Sequence, residues 1–108
     1  MDREAAQKAL VECRDRIDAV DREILTLLNR RTRIVEEIGE IKQRCGLPIY
    51  EPKREDEVYR NITSNNGGPL PPEAVKRVFE RIIDEMRTVQ RDRMLERAAA
   101  DQPEKRKG

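Results

Sequence analysis

The segment from Asp2 to Arg44 is the feature that most limits what this chain can fold into, because about 43 residues pass without a proline. Its apolar positions recur at alternating steps of three and four, the spacing that places side chains on one face of an α-helix. The pattern predicts a helix about 64 Å long, about twice the span of a small compact domain. Most of it must therefore pack on something outside its own local fold. The apolar positions are Leu10, Cys13, Ile17, Val20, Ile24, Leu27, Ile34, Ile38 and Ile41.

Helix-breaking residues divide the rest of the chain. Gly46 suits the left-handed position after a helix, and Pro48 blocks its continuation. A second helix is predicted to begin at Pro52, which fits a first helical position, and to run to about Ser64. The Asn- and Gly-rich stretch 65–69 is a loop signal.

A third helix is predicted to open at 71–73 and to carry a second apolar stripe. The sequence thus predicts an all-α domain over residues 1–97 with three helices, which are very long, short and long. Residues 98–108 are alanines followed by charged residues and Pro103, and we expect this tail to be frayed or disordered.

Composition excludes several classes of protein. Of the 108 residues 42% are charged and 3% are aromatic, so a large aromatic core is impossible and an oligomer is expected. The net charge of +1 lacks the basic excess of a nucleic-acid binder. No apolar run approaches the roughly 20 residues of a membrane span. With no secretory signal pattern and two cysteines, Cys13 and Cys45, the chain is predicted to be cytoplasmic.

The absence of histidine excludes histidine-based nucleophile activation and histidine-containing metal sites. We find no nucleophile paired with a base, and predict no metal site. Any chemistry should therefore need only positioning and electrostatics.

Polar residues at positions where the pattern calls for apolar ones are the candidate site. Arg31 interrupts the apolar stripe, and Lys42 lies 11 residues later, within about 20° of the same direction. Arg14 lies about 25 Å from Arg31 along the helix, so it could serve only the equivalent pocket of an antiparallel partner helix. On the third helix, Gln90 follows Met86 by four residues and brings an amide to the apolar face.

The second helix adds Arg54 and Glu55, with Glu55 heading its apolar stripe. Each of these polar residues alone has an ordinary structural interpretation: a snorkelling arginine, a lysine or carboxylate favoured by a helix dipole, or an interhelical amide bond. Together they describe a small cationic pocket in a helical bundle, suited to a compact dianion because arginine binds carboxylates through two hydrogen bonds.

The sequence resembles the all-helical class of chorismate mutases over about residues 7–93. Any one matching piece is weak, but the combination is specific. The pieces are Arg14-Asp15-Arg16-Ile17-Asp18 with Asp21, Leu27-Leu28-Asn29-Arg30-Arg31, Ile38-Gly39-Glu40-Ile41-Lys42, Pro48-Ile49-Tyr50-Glu51-Pro52-Lys53-Arg54-Glu55, and Phe79 through Gln90.

The resemblance implies an intertwined, domain-swapped homodimer that rearranges chorismate to prephenate without a cofactor. Lys42 and Gln90 would donate to the ether oxygen, and Glu55 would accept from the ring hydroxyl. The substrate's carboxylates would be held by Arg31 and Arg54 together with Arg14 of the partner subunit.

Two further positions follow from the resemblance. Glu51 matches a position that is often an acidic site residue. Met86 stands where many members carry a small hydroxyl residue, and methionine cannot donate a hydrogen bond there.

Two other functions fit the same pattern. The isochorismate–pyruvate lyases look similar and use a comparable cationic pocket. Alternatively, the chain is a weakly active regulatory or docking module for another shikimate-pathway enzyme. A generic coiled-coil adaptor explains less, because it leaves Arg31 in the apolar stripe without a reason.

Overall fold

A computed structural model describes residues 1–101 and confirms the predicted all-α architecture. Helix α1 spans Arg3–Cys45, α2 spans Pro52–Ser64 and α3 spans Pro72–Ala100, with no strand over the described range. Helix α3 continues three residues into the segment expected to be frayed, since alanine is the strongest helix former. Residues 102–108 of that predicted tail lie outside the described residues.

The helix ends follow from the glycine and prolines. Gly46 has φ +65, and the Leu47 amide donates to the Lys42 carbonyl at 2.8 Å. This bond from the second residue after the helix, with a left-handed glycine before it, is the Schellman arrangement. Pro52 begins α2, where its missing N–H removes no helical bond. These ends turn the chain back after α1 and place the linker 47–51 beside the last turn of that helix.

Two compact units divide the chain, the first being Met1–Arg33 and the second starting at Ile34. The first unit is helical from Arg3 onward and has no buried residue. Seven of its large apolar side chains are about half exposed, from 47% at Ile24 to 59% at Leu25. A helix with such a stripe needs another surface to cover it. The side chains are Leu10, Val11, Ile17, Val20, Ile24, Leu25 and Leu27.

The second unit packs the last turns of α1 and the helix α2 against α3. Few side chains form its core, and two of the buried ones are polar. Polar contacts join α1 to α3, among them a hydrogen bond that Arg93 Nε donates to Glu36 at 2.6 Å. This bond raises the pKa of the Arg93 guanidinium. The buried side chains are Val35, Val75, Ile83, Met86, Lys42 and Gln90.

No helix within residues 1–101 is long and apolar enough to cross a membrane.

At Gly39 the helices α1 and α3 lie close together. A Cβ built there would lie 3.4 Å from Gln90 Cγ and 3.5 Å from Arg97 Nη2. One methyl group therefore fits at ordinary contact distance, whereas a longer side chain would meet both residues. At this position the Gln90 side chain of α3 therefore packs directly against the α1 backbone, with room for a methyl group and no more.

We expect Gly39→Ala to stay within about 1 kcal/mol of the parent in its free energy of unfolding, since the helix propensity gained offsets the tighter contact. Gly39→Leu should lose about 1–3 kcal/mol by overpacking. Urea unfolding checks both, with the exposed Glu37→Leu on the same helix as control. A Gly39→Leu chain as stable as the Glu37→Leu chain would contradict the close approach.

Candidate active site

Lys42 is buried at the end of α1 with its charge paired. Its exposed fraction is 7%. The Nζ atom donates to the Ile49 carbonyl at 2.9 Å and lies 2.8 Å from Glu51 Oε1. Both partners belong to the linker that turns back after Gly46. The structure thus brings together Lys42 and Glu51, two residues that the sequence singled out separately.

Gln90 is buried on the facing side of α3. It is 7% exposed, and its Oε1 atom accepts no hydrogen bond from the part of the chain that the structure describes. Met86 lies one turn earlier on the same face and is equally buried. Because Gln90 packs on Gly39, and Gly39 lies three residues before Lys42, the amide and the ammonium border the same interface between α1 and α3.

Glu55 lies on α2 with its side chain 18% exposed, and its partner is Arg87 of α3. Arg87 Nε is 3.1 Å from Glu55 Oε2. The guanidinium also lies 5.4 Å from the centre of the Tyr50 ring. Sequence reasoning missed Arg87, because spacing along one helix does not show which side chains of two helices meet.

Glu55 also contributes to the field around Tyr59. Burial raises the pKa of the Tyr59 phenol, and the negative charges of Glu80 and Glu55 raise it further. The phenol of Tyr59 is therefore a neutral group at physiological pH.

A second polar network lies beside Gln90 and was also missed. Arg97 Nε donates to Gln43 Oε1 at 2.6 Å, and Gln43 Nε2 donates to the Met94 carbonyl at 3.0 Å. These bonds tie α1 to α3 on the far side of Gly39. A glycine inside a helical pattern was the available signal for this close packing.

The three predicted arginines occupy different surroundings. Arg54 is 60% exposed and pairs with Glu57 on its own helix at 3.3 Å. Arg14 and Arg31 belong to the first unit, where Arg14 is exposed and Arg31 is half-buried. Their role in a shared pocket stays a prediction.

The arrangement can stabilise negative charge. It offers the buried ammonium of Lys42 and the buried amide of Gln90 on facing helices, and an ion pair of Arg87 with Glu55 between α3 and α2. Within residues 1–101 no group of three or more His, Cys, Asp or Glu side chains could hold a metal ion. Fold and site together define a small all-helical domain with a polar site between its helices.

The chain belongs to the chorismate mutase type II family, whose model matches residues 13–91. The resemblance inferred from the sequence is thereby confirmed. A bifunctional chorismate mutase/prephenate dehydratase of Aquifex aeolicus is 44% identical over an alignment of 78 residues that covers 68% of this chain and 22% of that protein. The T-protein of Enterobacter agglomerans is 38% identical over 85 residues, 78% of this chain and 23% of that protein. The chain therefore spans about a fifth of the length of these relatives.

Solved structures agree with the family. A chorismate mutase from Thermus thermophilus has a TM-score of 0.75 and 38% identity, covering 77% of this chain and 94% of that one. A chorismate mutase from Helicobacter pylori, solved in complex with prephenate, has a TM-score of 0.74 and 31% identity, covering 82% and 96%. The three-helix fold is thus that of all-helical chorismate mutases.

We predict that Glu51→Gln lowers the free energy of unfolding by about 1 kcal/mol, because the buried Lys42 ammonium loses its counter-charge. The loss stays below that of a fully buried pair because Glu51 is 49% exposed and water screens it. Glu40→Gln is the matched control, since Glu40 pairs with Arg44 at the same 2.8 Å on an exposed surface. Equal losses of unfolding free energy in the two variants, measured by urea unfolding, would contradict a larger contribution from the pair of Lys42 with Glu51.

Proposed function

We propose that this domain catalyses the Claisen rearrangement of chorismate to prephenate. The observation that carries the proposal is the burial of Lys42 and Gln90 at one helix interface, in a chain of the chorismate mutase family. Burying a cation and an amide costs folding free energy unless both form hydrogen bonds. Prephenate bound to the Helicobacter pylori relative supports a substrate of this class.

The reaction exchanges one C–O bond for one C–C bond within a single molecule. Negative charge grows on the ether oxygen as its bond to the ring breaks. An ammonium has three donors, and Lys42 directs two of them toward the Ile49 carbonyl and Glu51. The third is available to the ether oxygen, and the amide of Gln90 supplies a second donor. Both contacts strengthen as the charge develops, so they lower the barrier selectively.

The remaining predicted residues bind the substrate in its reactive shape. Arg31 and Arg54, with Arg14 of a second copy, would hold the two carboxylates. Glu55 would accept from the ring hydroxyl, and Met86 would line the pocket without donating a hydrogen bond. Fixing the ends of the molecule selects the compact conformer and reduces the entropic part of the barrier.

A domain-swapped homodimer completes this site in our proposal. The half-exposed apolar stripe of Met1–Arg33 supports it, because a second copy running antiparallel would cover that stripe. The same copy would bring its Arg14 to a pocket that Arg14 of the first copy cannot reach.

We further propose that the domain acts in the cytoplasm beside a shikimate-pathway enzyme. In the Aquifex aeolicus relative, chorismate mutase and prephenate dehydratase belong to one bifunctional protein. Cys13 and Cys45 are free thiols, as suits a reducing compartment.

Lys42→Ala should lower kcat about a hundredfold to a thousandfold, the usual effect of removing one donor aimed at a developing oxyanion. Prephenate formation followed by absorbance measures the rate. The exposed Lys76→Ala is the control and should leave kcat unchanged. A Lys42→Ala enzyme within about twofold of the parent would contradict the mechanism.

Gln90→Glu should make kcat depend on pH. Burial raises the pKa of the introduced carboxyl. Above that pKa the carboxylate repels the ether oxygen, and below it the neutral acid donates a hydrogen bond. Activity should therefore rise as pH falls through the raised pKa, whereas the parent shows no such rise. If kcat of an active, folded Gln90→Glu variant did not change with pH, Gln90 would not contact the ether oxygen.

Mixing Arg14→Ala chains with Arg31→Ala chains should restore activity that each lacks alone. In a heterodimer one site carries both defects and the other carries neither. Subunit exchange is checked by native mass spectrometry with one chain isotopically labelled. Demonstrated exchange without recovery, or a monomeric mass at micromolar concentration, would contradict the shared site.

A further inference from the structure

Arg87 lies between three elements of the second unit. Its Nε faces Glu55 of α2 at 3.1 Å, its Nη2 bonds Asp84 of α3 at 2.6 Å, and its face meets the ring of Tyr50 in the linker. Nε and Nη2 form one edge of the planar guanidinium. That edge is therefore shared between two carboxylates, and Cζ of the guanidinium lies over the Tyr50 ring at 5.4 Å from its centre.

The contact with Glu55 is an ion pair rather than a well-aligned hydrogen bond. Arg87 Nε is buried, and its N–H does not point directly at the carboxylate oxygen. The Arg87 side chain is 31% exposed and that of Glu55 is 18% exposed, so water screens the pair only in part. The charge of Arg87 thus restrains one Glu55 oxygen, Oε2, and leaves Oε1 for another donor.

A carboxylate on a helix surface has several rotamers of similar energy. Glu55 sits in the first turn of α2, and its Oε2 atom lies 3.1 Å from Arg87 Nε of α3. The fixed guanidinium selects the rotamers that bring Oε2 toward α3. Asp84 and Tyr50 also contact the guanidinium, so the group that pairs with Glu55 is itself held at two further points.

We propose that Arg87 is a positioning residue that holds Glu55 ready to accept the substrate's ring hydroxyl. The inference rests on the proposed function, because only that function gives Glu55 a substrate hydroxyl to bind. That hydrogen bond is present in the bound substrate as well as in the transition state. Loss of positioning therefore weakens binding more than it slows the bond exchange.

Steady-state kinetics of Arg87→Met test the assignment. The KM for chorismate should rise about tenfold, within the range for coupling between side chains in contact. The kcat should change by less than about threefold. Loosened packing alone would instead lower kcat and the melting temperature with KM unchanged. Arg87→Lys, which keeps the charge without the planar edge, should recover part of the lost affinity.

Two controls separate positioning from general effects. Arg81→Met removes another arginine of α3, whose pair with Glu85 is exposed, and should leave KM unchanged. In a Glu55→Ala background Arg87→Met should change KM by less than about twofold, since no carboxylate remains to be positioned.

The outcomes distinguish the two proposals. A parent enzyme without prephenate formation overturns the proposed function and the Arg87 assignment with it. An active parent in which Arg87→Met raises KM equally in both backgrounds, or not at all, overturns the Arg87 assignment alone. The Arg87 assignment is also overturned if Arg87→Lys binds chorismate no more tightly than Arg87→Met while circular dichroism shows that both variants are folded.

Discussion

The buried charge of Lys42 organises the second unit where the end of α1 meets the linker. An ammonium that is 7% exposed requires acceptors, and it finds the Ile49 carbonyl and Glu51 in the linker. Those acceptors are in reach because Gly46 reverses the chain directly after α1. The linker then delivers the first turn of α2, with Glu55, toward α3. One cation thus couples the end of the long helix to the start of the short one.

Close packing of α1 on α3 surrounds the other buried polar side chain, that of Gln90. At Gly39 the backbone of one helix meets the side chain of Gln90 on the other. Burying an amide and an ammonium there weakens the core, since few apolar side chains share it. The first unit adds no buried side chain, so the hydrophobic area needed for stability is expected from association between copies.

The sequence was sufficient for the helices because their ends depend on local chemistry. Gly46 and Pro52 marked ends that the structure reproduces, and the apolar spacing predicted each helix between them. Lys42 stands out in the sequence because it faces nearly the same direction as Arg31, and Gln90 because it brings an amide to an apolar face. The structure buries both side chains, and their roles stay predictions. The third helix runs three residues further than expected, because Ala98–Ala100 are strong helix formers.

Contacts between helices were harder to predict. The pair of Arg87 with Glu55 depends on the register of α3 against α2, which no periodicity within one helix encodes. The exposed position of Arg54, paired with Glu57, likewise reflects the local surface of α2 rather than its apolar stripe. Arg14 and Arg31 lie in the first unit, about 25 Å apart along one helix, so a single copy of the chain cannot bring them together.

The proposed rearrangement is tested most directly by incubating chorismate with the purified domain and following its fate by proton NMR. The buffer contains a metal chelator. The account predicts saturable conversion to prephenate with no added cofactor, while isochorismate in a parallel tube releases no pyruvate. Chorismate that disappears no faster than in protein-free buffer, or pyruvate released from isochorismate, would contradict it.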